Sequence, residues 1–172
     1  LGFRREKHSG LIEIRHTKAT GIGTKIKFYK EEEEKGENLS KKDMASFVIG
    51  SDSFALVNDF MATPLVKYKT DFAKVLDTGA INLYVHIRKA RQSGNSGAAY
   101  YAIYLEEYLI RKNASNDYFC IRGKKTLRDI FLPMIENCPE LHNSVSSMKP
   151  KDAIEQLPAL VKEYNEYKKT NP

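Results

Sequence analysis

The chain has 172 residues, 41% of them hydrophobic and 29% charged, with 10 tyrosines, no tryptophan and a formal net charge of +6. That length supplies one proper core and is short for two ordinary domains. The composition excludes a disordered chain, and no apolar run approaches the roughly 20 residues that a membrane-spanning helix needs.

The positive charge is concentrated at one end. In the first 30 residues Arg4, Arg5, Lys7, Arg15, Lys18, Lys25, Lys27 and Lys30 stand against Glu6 and Glu13, which leaves the rest of the chain neutral overall. Such a cluster is either a solvated strand face and tail or an electrostatic footprint for an anionic partner such as nucleic acid. The sequence starts Leu1-Gly2-Phe3 without an initiator Met. It therefore reads as a processed or trimmed product, and removal of a signal peptide is one way to make it.

Residues 1–9 read as a frayed basic N-terminus, and 10–172 as a single α+β domain with a β-rich part (10–122) and a helical part (125–168). Alternation predicts strands over 11–16 and 25–29, the second with Ile26 and Phe28 on one face and lysines on the other. The acidic run 31–38 ends in Gly and Asn and lacks the Asp/Asn/Gly alternation of a calcium loop, so it reads as an exposed loop at a hairpin tip. A turn at 40–43 feeds a strand over 44–49. Residues 50–53 turn the chain again, and 54–57 begin the return strand. Residues 58–64 read as a connection closed by Pro64, and a strand follows over 66–76. In this strand Phe72 and Leu76 claim one face while Ala73 and Val75 claim the other, so either both faces are covered or a bulge intervenes.

The clearest pattern lies in 81–88, where every odd position is aliphatic and every even one suits water. Across the Gly- and Ser-rich segment 91–97 comes a Tyr-rich strand over 100–106, extendable to 110. One hairpin register sets Leu83 against Leu105, Val85 against Ile103 and Ile87 against Tyr101 as a core face. The same register sets Tyr84 against Tyr104 and Arg88 against Tyr100 on an outward face. Residues 118–121 form the last strand. The period then changes to 3.6, with Leu127, Ile130, Phe131, Met134 and Ile135 on one helical stripe, ended by Pro139 and expected to cover the core face of the hairpin. A short helix follows over 139–146. A final helical segment over 150–168 carries Pro158, which predicts a kink or two pieces. The expected fold is an N-terminal antiparallel β-meander or open barrel-like sheet, followed by two or three C-terminal helices packed on one side.

The segments Lys41-Lys42-Asp43-Met44-Ala45-Ser46-Phe47, Gly50-Ser51-Asp52-Ser53-Phe54-Ala55 and Phe72-Ala73-Lys74-Val75-Leu76-Asp77-Thr78-Gly79, with Leu83-Tyr84 after them, carry a resemblance. So do Lys124-Lys125-Thr126-Leu127, Asn137-Cys138-Pro139-Glu140-Leu141 and the closing Tyr164-Asn165. Over about residues 20–168 the chain resembles exported proteins of Bacteroidetes that have no assigned activity. The resemblance implies a periplasmic or secreted location after loss of a signal peptide, and it supplies no functional residues.

No nucleophile elbow, phosphate loop or dinucleotide fingerprint occurs, and His8, His16, His86 and His142 share no metal-ligand spacing. Asp52, Asp59, Asp71 and Asp77 read as turn residues. No enzyme activity, cofactor or metal is expected. Cys120 and Cys138 either pair as a disulfide in an oxidising compartment or remain buried thiols. The candidate partner-binding surface is the outward hairpin face, Tyr84, His86, Arg88, Tyr100 and Tyr104, where tyrosines beside an arginine suit a protein, peptide or glycan. Ordinary cross-strand pairs, or cover by another layer, account for the same residues. The function these features favour is a non-catalytic exported interaction or structural module of the bacterial cell envelope, with an envelope protein or glycan as partner. The alternative is a nucleic-acid-binding domain that uses the basic N-terminal segment and the tyrosines. A homo-oligomer through an edge strand is compatible with either.

Overall fold

The structure is a computed structural model and describes residues 10–15, 25–30, 35–39, 44–93, 100–113 and 115–171. The expected frayed N-terminus, the turns at 20–23 and 40–43, the glutamates 31–34 and the hairpin loop at 94–97 lie outside the described residues.

The architecture is α+β, with two antiparallel sheets that are open rather than closed, followed by helices. The first sheet has the order β1 (Leu11–Arg15), β2 (Lys25–Tyr29), β3 (Glu37–Leu39). The sequence reads 37–38 as loop, but pairing with β2, Phe28 opposite Glu37, recruits β3 into the sheet. The second sheet runs in sequence order through β4 (Ser46–Ile49), β5 (Asp52–Thr63), β6 (Val66–Asp77), β7 (Ile81–Ser93), β8 (Tyr100–Lys112) and β9 (Phe119–Ile121).

β5 continues through the stretch 58–63 that reads as a connection in the sequence. Its inward residues change from Val57 to Phe60 and Ala62 across Asp59, and β6 makes the matching change between Asp71 and Tyr68. Asp59 has φ 47°, the one positive φ of a non-glycine residue among the described residues. Asp tolerates this left-handed region better than β-branched residues do. The hairpin thereby bends over the sheet until the Ala62 carbonyl accepts hydrogen bonds from the Cys120 thiol and the Arg122 guanidinium, joining β5 to the β9 side without a ladder. Asp59→Val is expected to lower stability by about 1–2 kcal/mol, read from urea midpoints. Asp59→Asn should stay within about 0.5 kcal/mol, because the exposed Lys67 ion pair it loses is worth little.

The second sheet is covered on both faces. One face carries Phe47, Phe54, Leu56 and Phe72, which pack with Ile26 and Ile12 of the small sheet; the Phe47 ring stacks on Phe54 at 4.8 Å. Further along the same face, Ile81, Leu83, Ile110 and Ile121 meet the helices. The opposite face curls on itself around Val57, Phe60, Ala62, Tyr68, Ala73, Tyr84, Leu109 and Cys120.

The helical part begins with a turn, α1 (Lys124–Thr126), widens into a π-helical turn (Leu127–Phe131) and ends in α2 (Leu132–Met134). The widening has a local cause. Pro133 has no N–H to continue the ladder, and the Leu132 N–H reaches back five residues to Leu127 O. Leu127, Phe131, Met134 and Ile135 still bury together against Ile81 and Leu83, as the stripe predicts. α3 (Pro139–Ser147) follows. The last segment is indeed two pieces, α4 (Pro150–Glu155) and α5 (Leu157–Thr170), with Pro158 in the first turn of α5, where an absent N–H is tolerated.

The expected β7–β8 register is corrected. Leu83 pairs with Ile110, Val85 with Tyr108, His86 with Glu107, Arg88 with Leu105, Lys89 with Tyr104 and Ser93 with Tyr100. Both strands are 13 residues long, and this offset replaces the Tyr84–Tyr104 and Arg88–Tyr100 pairs. The alternation in 81–88 misleads because its even positions are buried as well: Asn82, Tyr84 and His86 face the curled interior. The bulge anticipated in the β6–β7 hairpin falls between Val75 and Asp77.

Candidate functional site

The β6–β7 ladder ends early. Its pairs are Asp77 with Leu83, Val75 with Tyr84 and Lys74 with Val85; beyond them β6 continues beside β5, and β7 beside β8. The sheet forks there, and the fork is filled by polar side chains from three strands. Asp71 comes from β6, His86 and Arg88 from β7, and Glu107 from β8 directly opposite His86.

His86 Nε2 lies 3.0 Å from Asp71 Oδ2, and Arg88 Nε donates to Glu107 Oε1 at 3.1 Å. His86 Nδ1 and Glu107 Oε2 stand 3.7 Å apart, an electrostatic contact too long for a hydrogen bond. Asp71 Oδ1 also accepts the Phe72 N–H at 2.9 Å. His86 is 0% exposed, Asp71 3% and Glu107 9%. The rings of Phe60 and Tyr68 meet the imidazole edge to face, at 4.9 and 4.7 Å between centroids.

Burial by itself would push the His86 pKa down. The hydrogen bond to Asp71 and the nearby Glu107 carboxylate outweigh it, and the pKa is raised above its ordinary 6.5. With His86 protonated, two cations balance two carboxylates in a largely buried space. Burial, with Asp71 adding to it, raises the Tyr68 hydroxyl to about 12. Burial and Glu107 raise the Cys120 thiol to about 11, so Cys120 is a protonated, unreactive sulfur.

A histidine beside an aspartate is the arrangement that orients a general base. Here the imidazole has no exposed surface through which to meet a substrate. What the geometry performs is mechanical: the His86–Asp71 contact clasps the two hairpins where their backbone ladder has ended. Among the described residues no group of three or more His, Cys, Asp or Glu side chains is placed to hold a metal ion.

The five residues of the expected binding surface do not form one exposed face. Tyr84 is 4% exposed and joins the interior cluster, His86 fills the fork, and Arg88 is held by Glu107. Tyr104 is 54% exposed and pairs with Lys89 on the other face of the ribbon. Tyr100 opens β8 opposite Ser93, and its side chain is outside those described. Cys120 and Cys138 are both free. They belong to clusters on opposite faces of the sheet, which corrects the disulfide alternative in favour of two buried thiols.

The reading of Asp71 as a turn residue is corrected, and the sequence alone gives Glu107 no role. Asp77 does act as a turn residue, its Oδ1 accepting the Thr78 N–H at 2.8 Å, but Asp71 sits in mid-strand. The available signal was an acid inside an apolar β run, Phe72-Ala73 on one side, where Asp is disfavoured unless partnered.

Fold and fork together define an α+β protein with a curled antiparallel sheet, clasped inside by a buried His–carboxylate network and backed by helices. No protein-family model matches the chain, and no curated protein or solved structure matches it. No helix among the described residues is long and apolar enough to cross a membrane.

Proposed function

We propose that this protein is a non-catalytic interaction or structural module exported to the bacterial cell envelope, with a protein or glycan as its partner. The observation that carries the reading is where the chemistry sits. The clustered acid–base side chains, Asp71, His86 and Glu107, are turned inward and matched to one another. The outer surface instead presents apolar residues on hairpins: Leu65, 94% exposed, at the β5–β6 turn and Val48 beside the β4–β5 turn. Buried networks of this kind hold a scaffold in one shape, and exposed apolar hairpin residues offer contact area. The sequence resemblance of about residues 20–168 to exported proteins supports the envelope location.

The test is fractionation of the native producing cells against cytosolic and envelope markers, with determination of the N-terminus of precursor and mature forms. Recovery in periplasm, membrane or medium with a segment cleaved ahead of Leu1 is the expected result. A cytosolic, uncleaved protein would overturn the envelope reading. Steeply salt-dependent binding of DNA or RNA would then favour the basic N-terminal segment as the functional element.

A further inference from the structure

The curled face of the second sheet carries another polar row besides the fork. Asn82 of β7 lies directly opposite Arg111 of β8, and Tyr118, the residue before β9, stands on the far side of Arg111. Opposed residues of an antiparallel pair share a face, so Asn82 and Arg111 project on the same side as Tyr84 and His86. The Arg111 guanidinium lies over the Tyr118 ring, 5.3 Å from its centroid, and among the described residues no carboxylate pairs with it. The acids on adjoining stretches are engaged elsewhere. Glu107, four residues back along β8 and about 13 Å away at strand spacing, holds Arg88; Asp117 takes the Ser115 hydroxyl, and Asp77 serves Thr78 and Asn165.

Two donors in this row are buried without a hydrogen-bond partner, Nε of Arg111 and Nδ2 of Asn82, a residue only 5% exposed. The Asn82 amide cannot turn over to hide its donor, because its Oδ1 accepts the Gly79 N–H at 3.3 Å. Unmatched buried donors are costly, and two of them on opposed residues call for one oxygen between them. A guanidinium presents parallel N–H groups that match a carboxylate. One arginine balances one negative charge, and the row has no second cation for a phosphate dianion. The rings of Tyr118 and Tyr84, 5.6 Å apart between centroids, add flat apolar area. Arg111 and Tyr118 are half-buried, so the row meets solvent on their side.

We infer that Arg111, Asn82 and Tyr118 form a binding site for a carboxylate attached to a flat apolar group. One carboxylate oxygen accepts from Arg111 Nε and Asn82 Nδ2, and the other accepts from an outer guanidinium N–H. The apolar group lies beside the Tyr118 ring. The site is separate from the His86 fork, where Arg88 already has Glu107. The inference goes beyond the envelope reading and does not depend on location.

The experiment is a titration of the isotope-labelled full chain with benzoate, acetate and inorganic phosphate at constant ionic strength and neutral pH. Nuclear magnetic resonance reads the Asn82 side-chain amide and the backbone amides of Arg111 and Tyr118. The expected results are saturable shifts of these signals with benzoate, acetate at least about tenfold weaker, and phosphate weaker than benzoate. Arg111→Lys keeps the charge but loses the parallel N–H pair, and should weaken benzoate about tenfold or more. Asn82→Asp keeps the acceptor for the Gly79 N–H and sets a carboxylate of the chain's own opposite Arg111, so it should abolish benzoate binding. Near-UV circular dichroism that matches wild type certifies each variant as folded, and one folded variant is enough for the comparison. Overturning results are a wild type without saturable shifts, phosphate bound more tightly than benzoate, or undiminished benzoate binding in a folded variant. A bound water that contacts the Asn82 amide and persists at saturating benzoate would also overturn it, since that water would be the acceptor.

Discussion

His86→Ala is expected to cost about 3–5 kcal/mol, because it removes the imidazole that Asp71 contacts at 3.0 Å in the fork and empties the space enclosed by Phe60 and Tyr68. The same site predicts a pH dependence. The groups facing the imidazole are Asp71 and Tyr68 from β6, Arg88 from its own strand and Glu107 from β8; Cys120 of β9 lies near Glu107. The His86 pKa is raised in the folded state, so the folded protein binds a proton that the unfolded chain releases near its ordinary 6.5. The stabilisation is then complete below that value and is lost as pH rises through the folded pKa.

Unfolding free energies from urea titrations should accordingly decline above pH 6.5, with a slope of up to about 1.4 kcal/mol per pH unit. Asp71→Asn lowers the folded pKa and should narrow that window. The direct readout is the imidazole proton count by nuclear magnetic resonance. A neutral His86 at pH 6.5, or a midpoint profile without decline above it, would remove the charged clasp.

The second large effect lies at the opposite end of β7. Asn165 of α5 is buried and takes the place of a backbone partner for the β6–β7 turn. Its Oδ1 accepts the Ile81 N–H at 2.9 Å, and its Nδ2 donates to Ile81 O at 2.8 Å and to Asp77 Oδ2 at 3.2 Å. Asn165→Ala strands two buried main-chain groups and should cost about 2–4 kcal/mol, which for a chain of this size is a fall in Tm of roughly 5–15 °C. Asn165→Asp keeps the acceptor, loses the donor and sets a second carboxylate beside Asp77, so it should not rescue.

Gly79 belongs to the same lock. A Cβ there would stand 2.6 Å from the Asn165 side chain, so Gly79→Ala must expel that side chain. The double variant Gly79→Ala, Asn165→Ala should therefore cost clearly less than the sum of the single variants. Additive costs would mean that Asn165 does not hold the turn.

The two sites differ in how visible they are in sequence. Asn165 sits two residues from the tyrosine that hydrogen-bonds Asn137 O, on a helix whose apolar stripe is plain. Yet nothing local marks it as the partner of a turn 84 residues earlier. His86 occupies an even position in an alternating run and reads as solvent-facing. It is in fact enclosed by Phe60 and Tyr68, which come from another hairpin.

What the sequence by itself determined is the order of strands followed by helices, the stripe through Leu127, Phe131 and Met134, and the break at Pro158. Each is set by periodicity or by a missing N–H within one or two turns of chain. The tertiary structure alone decided the β7–β8 register, the burial of the even face of β7 and the use of Asp71, Glu107 and Asn165. A residue's polarity states that its hydrogen bonds must be met, but not whether water or a distant strand will meet them. The fork after Val85 brings Asp71 and Glu107 to His86, and the packing of α5 on the β6–β7 turn brings Asn165 to Ile81.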